Sequence, residues 1–343
     1  MLTLSVIMPV KNAMATLNAT LASLAALRPA PLEILLVDNG STDGSLLRLA
    51  AFARMMPPGR VRVLQEATPG AAAARNRGAA SAQGTLLAFT DADCQPASDW
   101  IGQITQAFAD PTTAAVAGRI AGVAATPLEA MSSLFTFRTG GAPTTYTTWT
   151  PWSGGFATAN FAIRRTAFHA LDGFDIGLAV AGEDYDLCAR IYAAGHRIQY
   201  WPDARVTHTH RTSLAGMLRQ AFRWGTAHPI LLQRYTPKGL WVTLPGFQFA
   251  WNTCPVRCWV EGTGADKKLG LALLMFLLFP AAWLVLPAVT GWIAWSVFAA
   301  WRHTTEPIPL PWLPSIILLL ILKSAALTGG RWWGSIRHAT ICI

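Results

Sequence analysis

Acidic residues almost vanish from the last third of this chain: three of 18 follow position 239, against ten of the 15 tryptophans. From Leu269 to Trp301 no residue is charged, which excludes an ordinary water-facing segment there. Cysteine is scarce as well. The five present (Cys94, Cys188, Cys254, Cys258 and Cys342) show no zinc-framework spacing, and a cytoplasmic domain keeps such thiols reduced. The stretch MLTLSVIMPV lacks a basic leader and a cleavage site, so no signal peptide is expected. There is no internal repeat. Nucleic-acid binding could give the formal net charge of +9, but no stacking motif supports it, so nucleic acid is not an expected partner. The positive sign suits anionic headgroups and phosphorylated substrates instead.

As a single helix the uncharged run would extend roughly 50 Å, against a hydrocarbon core of about 30 Å. It is therefore one long tilted helix or a pair bent near Pro287 to Gly291. A second apolar run, Ile308 to Leu327, carries Lys323 close enough to an end to snorkel. A buried core hairpin is the alternative, but runs of ~20 apolar residues favour membrane insertion. Lys267 and Lys268 precede the first run, and Arg331, Arg337 and His338 follow the last. Two crossings then put both flanks in the cytoplasm, whereas three would put the tail on the other side.

Upstream, short β-branched runs alternate with helix-compatible stretches: SVIMPV, then Met14 to Leu27; EILLVD, then about Asp43 to Met55; VRVLQE, then GAAAARNRGAASAQG; and finally TLLAFT. Such alternation predicts an α/β domain with a parallel sheet and right-handed crossovers. RTGGAPTTYTTWTPWSGG reads as a mobile loop. HRIQYWPDARVTH reads as a strand, a Pro turn and another strand, and residues 213 to 235 as an amphipathic helix with a basic face. Leu240 to Gly262 is expected to lie flat at a membrane interface or to form a buried loop.

Asp91-Ala92-Asp93 closes the fourth apolar run. Two carboxylates two residues apart at a strand's C-terminal end suit a hard cation that still holds waters and diphosphate oxygens. That is also where open α/β sheets place their ligands. A solvated turn explains the pair taken alone.

SVIMPVKN, VDNGSTDGS, GAAAARNRG, FTDAD, GEDYDL and a histidine followed by QAFRW occur in this order. Together they resemble a family 2 glycosyltransferase with the GT-A fold, over roughly residues 3–235. The resemblance implies a Rossmann-like, mostly parallel sheet flanked by helices, and the apolar runs after it are expected to be transmembrane helices. It implies inverting transfer of a sugar from a UDP-, GDP- or dTDP-sugar, assisted by Mg²⁺ or Mn²⁺. Pro9, Asn12, Asp38 and Asn39 would then meet the base, with Lys11 and Asn39 departing from the family's usual aromatic and aspartate. Arg75 would reach the diphosphate, although spacing alone does not settle whether it, Asn76 or Arg77 faces inward. Asp91, Asp93 and His208 would hold the cation, with His210 a close rival. Asp184 would be the general base and Glu183 a sugar contact. Gln220, Arg223 and Trp224, on one helical face, would lie over the diphosphate and the acceptor. Asn160 and Gly155 would face the acceptor sugar.

The expected organisation is a catalytic domain at 1–235, an interfacial segment at 236–268, membrane helices at 269–330 and a basic tail at 331–343. The implied protein is multi-pass, with a cytoplasmic catalytic domain and a lipid or lipid-linked glycan as acceptor. Two other classes compete: a non-catalytic nucleotide-sugar-binding scaffold, and a metal-dependent nucleotidyltransferase. The first predicts loss of the acidic positions; the second gives no reason for GEDYDL or QAFRW.

Overall fold

The computed structural model describes residues 2–137, 141–151, 153–178, 181–244, 247–253, 255–278, 285–304, 308–338 and 340–342. The chain divides into two compact units. One comprises Met1–Ala121, Phe137–Ala179 and Glu183–Thr209, and the other Gly122–Thr136, Val180–Gly182 and His210–Ile343. The expected boundary at 235 coincides with a helix end inside the second unit.

In chain order the elements run β1 (Leu4–Val10), α1 (Met14–Ala25), β2 (Glu33–Asp38), α2 (Ser45–Met55), β3 (Val61–Gln65), α3 (Ala71–Ser81) and β4 (Leu86–Thr90). Next come β5 (Cys94–Pro96), α4 (Trp100–Ala107), β6 (Thr113–Gly122), then α5 (Pro127–Phe135) of the second unit. β7 (Thr144–Tyr146), β8 (Asn160–Arg164), α6 (Arg165–Ala170), α7 (Glu183–Ala193) and β9 (Arg197–His208) complete the first unit.

The sheet order is β3-β2-β1-β4-β8-β6-β9-β5, with β7 also paired to β9. β3, β2, β1 and β4 are mutually parallel, and β8 turns antiparallel against β4. Every residue of β2 and β4 is buried, as expected for parallel strands covered on both faces. Leu17, Leu21, Phe52 and Ile104 of α1, α2 and α4 pack in one apolar cluster. Ala72, Phe168, Leu187 and Ile191 of α3, α6 and α7 pack in a second. Val10 pairs with Asp38 in register, so β1 and β2 end together.

Asp43 ties two helix starts together: its Oδ1 accepts the Ser45 N–H at the start of α2 (3.0 Å) and its Oδ2 the Met14 N–H at the start of α1 (3.0 Å). Two local expectations are corrected. β9 continues through Pro202, which falls between the segments paired with β7 and β5 and so withholds no N–H from either ladder. The Thr-rich stretch forms the short strand β7 rather than a plain loop; its residues 138–140 and 152 lie outside the described ones.

The second unit continues with α8 (Leu214–Tyr235), β10 (Gly239–Leu244), β11 (Phe247–Trp251), β12 (Arg257–Glu261), α9 (Ala265–Leu278) and α10 (Val285–His303). A 3₁₀ turn (Leu310–Trp312), α11 (Leu313–His338) and β13 (Ile341–Cys342) end it. The described residues of 240–261 form most of a four-stranded sheet, β11-β10-β12-β13, rather than a buried loop. α8 and α11 approach closely because Gly225 and Gly330 face each other. A Cβ on Gly330 would collide with Phe222 O, and one on Gly225 with Leu327 O.

Pro287 and Gly291 lie within α10, not at a bend. Pro287 occupies the first turn, where its missing N–H deprives no helical bond. Residues 279–284, between α9 and α10, lie outside the described ones. Lys323 does not snorkel either. Its Nζ donates to Thr136 Oγ1 (2.7 Å) and Phe135 O (3.3 Å), satisfying the C-terminus of α5. Among the described residues, one helical segment, Leu310–His338, is long and apolar enough to cross a membrane. The expectation of two or three crossings has that single candidate.

Candidate functional site

The Asp-Ala-Asp turn is tied down by backbone and hydroxyl groups. Asp91 O accepts the Cys94 N–H (3.0 Å) and Asp93 O the Thr209 N–H (2.8 Å). Ala92 O accepts the hydroxyls of Thr16 (2.8 Å) and Thr20 (3.0 Å) from α1. Sequence reasoning missed these two threonines. Their four-residue spacing on an otherwise apolar helix face was the available signal.

Arg75 is the organising cation. Its guanidinium is 4% exposed and donates to Asp91 Oδ1 (2.7 Å) and Glu183 Oε1 (3.0 Å). Phe174 lies beneath it, 5.7 Å from ring centroid to Cζ. This clamp gathers α3, the end of β4 and the start of α7, bringing FTDAD and GEDYDL together. The question of the inward residue is answered by the packing of α3. Arg75 points in, and Arg77 is exposed. The Asn76 amide donates to Phe174 O (2.8 Å) and accepts its N–H (2.9 Å), pinning that loop.

Asp184, beside the clamp, is half-buried, and its Oδ1 accepts the Tyr185 N–H (2.8 Å). Burial first, and the Glu183 charge second, push its carboxyl up to about 7, against the opposing pull of Arg75. A carboxylate titrating there is suited to taking a proton at neutral pH. Gly155 lies against the Tyr185 ring, where a Cβ would stand 2.7 Å from Cδ2.

Asp93 meets a different set. β5 pairs with β9 so that Cys94 faces His208. His208 Nε2 lies 3.6 Å from Asp93 Oδ1, and the Cys94 thiol donates to the same oxygen (3.6 Å). The ligand atoms of Asp93, Cys94 and His208 lie within 4.8 Å of one another. Burial, then the Asp93 and Asp91 charges, raise the Cys94 thiol well above its ordinary range, so it stays S–H. The remaining donors are one carboxylate and one imidazole, which fit a borderline-hard divalent ion better than a thiophilic one. His210 is buried in the second unit, where it packs on Gly122. Asp91 faces Arg75 rather than this cluster.

At the ends of β1 and β2 the side chains are largely occupied. Asn12, at φ +51°, accepts the Thr42 N–H (2.8 Å), and Pro9 is half-buried. Asp38 Oδ2 accepts the N–H groups of Gly40 and Ser41 (3.2 Å each), while its buried Oδ1 has no hydrogen-bond partner. Asn39 is not free to read a base. Its amide donates to Glu66 O and Thr68 O and accepts from Gly70 N–H, stitching β3 to α3.

Asn160 is likewise structural rather than sugar-facing. Buried in β8, it donates to Arg119 O and Ala204 O and accepts Trp100 Nε1–H, each at 2.8 Å. No donor remains for a ligand. Gln220, Arg223 and Trp224 lie along α8 in the second unit. Lys323 Nζ stands 5.8 Å from the Trp224 ring centroid, and Arg223 lines a cavity of about 340 Å³ with Leu218, Arg219, Phe222 and Ala326.

The family model described as Glycosyl transferase family 2 matches residues 5–172, and that for Glycosyl transferase family group 2 matches residues 91–322. Over 279 residues the chain is 30% identical to the pre-mycofactocin glycosyltransferase of Mycobacterium tuberculosis, which covers 78% of this chain and 55% of that one. It is 41% identical over 90 residues, 26% of each chain, to the uncharacterized glycosyltransferase YibD of Escherichia coli. The chain spans about half the length of the longer relative it matches. Among solved structures, the mannosyltransferase PcManGT from Pyrobaculum calidifontis, in complex with GDP-Man and Mn²⁺, aligns with a TM-score of 0.55 at 21% identity, over 96% of this chain and 87% of that one. GalNAc-T7 with UDP, GalNAc and Mn²⁺ aligns at 0.50 and 22%, over 68% and 50%. The chain shares their mixed α/β fold.

Proposed function

The chain belongs to glycosyl transferase family 2, and on that premise we propose that it is an inverting sugar transferase using a nucleoside diphosphate sugar donor. The observation that carries this reading is the Arg75 clamp, which joins the acid pair after β4 to the acid pair opening α7. The unpartnered Asp38 Oδ1 supports base recognition, because uracil, thymine and guanine all present a ring N–H to such an acceptor. Asp93 and His208 would hold a divalent cation, Mg²⁺ or Mn²⁺. The similar structures that contain Mn²⁺ support that choice of ion class. When bound, such an ion neutralises charge on the departing diphosphate.

Asp184 is the proposed base. Its carboxylate takes the hydroxyl proton as the acceptor oxygen bonds to the anomeric carbon. The bond from that carbon to the diphosphate oxygen breaks, and the electron pair leaves with the nucleoside diphosphate. Attack opposite the leaving group inverts the centre. Arg75 holds Glu183 beside Asp184, and burial first, with the Glu183 charge second, keeps the Asp184 carboxyl high enough to accept a proton near neutrality. The apolar helix Leu310–His338 supports an acceptor confined to a membrane, a lipid or lipid-linked glycan, with the catalytic unit on the cytoplasmic side.

The test is incubation of the full chain with UDP-, GDP- and dTDP-sugars, Mn²⁺ or Mg²⁺ and a membrane lipid extract. Nucleoside diphosphate release with a glycosylated, anomerically inverted product supports the proposal. Pyrophosphate release would indicate nucleotidyl transfer, and donor binding without turnover a scaffold.

A further inference from the structure

The small sheet β11-β10-β12-β13 has one packed face and one more open face, exposed along β11 and at Leu244 and Ile341 and half-buried between them. Trp241, Trp259 and Cys342 share the packed face, where they cluster with Leu232 of α8. On β11 the alternate residues Phe247, Phe249 and Trp251 are 54%, 44% and 54% exposed, and the first two rings stack at 6.4 Å. In register with them on β10 stand Leu244, Val242 and Leu240. The row continues through Val260 and Cys258 of β12 to Ile341 of β13, which is 46% exposed. Among the described residues of these strands, this face carries no charged or amide side chain. Strand spacing and rise make it about 15 Å by 15 Å. Contiguous apolar surface of this kind marks an interaction site.

We infer that this face seats into the headgroup region of a bilayer leaflet bearing anionic lipid. Two observations select that occupant. The first is position. α9 begins four residues after β12 ends, and β13 begins three residues after α11 ends, so the sheet sits where both apolar helices meet polar chain. Ser335 of α11 fastens it, accepting the Cys342 N–H (2.9 Å). Aromatic–cation pairs flank the same helix ends, Lys268 over Trp292 at 4.5 Å and Arg337 over Trp333 at 4.7 Å. Tryptophan and basic residues together are the composition of a membrane–water boundary.

The second is charge. From Gly239 onward there are seven lysines and arginines; Lys267 and Arg331 pair with Glu261 and Lys323 is tied to the end of α5, which leaves Arg257, Lys268, Arg302 and Arg337 as the basic excess. The described carboxylates of this region are both engaged: Glu261 accepts from Arg331 and Lys267, and Asp266 from Ser324. A basic surround with its acids occupied matches anionic headgroups.

The inference deepens the membrane-side part of the proposed function and rests on it. The test uses the full chain, with Cys254 and Cys258 changed to Ser, labelled with an environment-sensitive fluorophore at Phe249→Cys. Ile341→Cys is the second probe of the face, and Gln248→Cys, pointing away from it, is the control. Each protein is reconstituted into phosphatidylcholine vesicles with and without phosphatidylglycerol. Lipid-borne quencher should remove about half the emission at 249 and 341, and little at 248, because an interfacial face sits about 5–10 Å into the headgroup boundary. Quenching should deepen with phosphatidylglycerol. Equal access of iodide to all three positions overturns the inference, as does quenching indifferent to lipid charge. Burial that follows protein-to-lipid ratio indicates a second copy of the chain and also overturns it. Nucleoside diphosphate release in the same vesicles separates the readings, since a water-exposed face with intact turnover refutes only the docking.

Discussion

Replacing Arg75 by methionine preserves most of the side chain's volume and removes its charge. In the folded protein that charge is 4% exposed and faces Asp91 at 2.7 Å and Glu183 at 3.0 Å. At an effective dielectric constant of about 20, each contact represents roughly 5 kcal/mol of gross attraction, most of it offset by desolvation. Removing one partner of a buried pair typically costs about 3–5 kcal/mol, because the stranded carboxylates remain in place. For a unit of this size that corresponds to a fall of about 6–20 °C in Tm. Thermal unfolding followed by tryptophan fluorescence measures it.

The deficit must also depend on pH, with a definite sign. Asp184 already has its folded carboxyl raised to about 7 by burial and by Glu183, while Arg75 pulls it down. A carboxyl raised on folding stabilises fully below its unfolded value near 4, and that contribution is lost as pH rises through the folded value. Without Arg75 the folded value climbs further, so the loss extends to higher pH. The Arg75→Met deficit should therefore be larger at pH 8 than at pH 5. A Tm within about 2 °C of wild type, which is under about 1 kcal/mol here, would refute the clamp. A deficit larger at pH 5 would refute the charge argument.

Asp184→Asn should keep donor affinity and lose about 10²–10⁴-fold in transfer, and the wild-type rate should rise with pH through about 7 as the base ionises. Glu183→Gln should move that limb to lower pH, by removing the second cause of the Asp184 shift; pH–rate profiles check both. Asp93→Ala and His208→Ala should each weaken Mn²⁺-dependent donor binding while sparing any metal-independent component. Titration calorimetry with and without EDTA distinguishes the two. Asn160→Ala strands Trp100 Nε1–H and two buried carbonyls, at a cost of about 3 kcal/mol, visible as a lower urea midpoint at unchanged slope.

The parallel half of the sheet was legible because each strand is a short apolar run closed by a turn. Asp91 could be placed because it ends one of those runs. Residue type alone failed at Asn39 and Asn160. An amide offers the same groups to a ligand as to a carbonyl across the sheet, and only the fold shows that Arg119 O, Ala204 O and Trp100 consume those of Asn160. The β10–β13 sheet left a fainter trace. Phe247, Phe249 and Trp251 alternate with period two, but three aromatics beside an apolar run also fit a buried loop, and periodicity over five residues does not choose. The choice of His208 over His210 needed register. β9 stops at His208, whose pairing with Cys94 brings it to Asp93, whereas His210 lies past the strand end and packs on Gly122 in the second unit.

Arg75 shows why a family pattern does not assign a charge to a ligand. The resemblance sends its guanidinium to a diphosphate, yet two carboxylates already claim it. One positive group facing two negative ones leaves the clamp anionic, and Asp93 adds to that sign. A diphosphate approaching such a surface meets net repulsion, which a buried arginine with prior partners cannot offset. Donor binding then requires positive charge from elsewhere, and Asp93 with His208 is the described cluster able to hold it. On this reasoning EDTA should abolish donor affinity outright, and Arg75→Met should leave the metal requirement standing. If arginine alone neutralised the donor, EDTA would leave much of the affinity intact, and Arg75→Met would remove it.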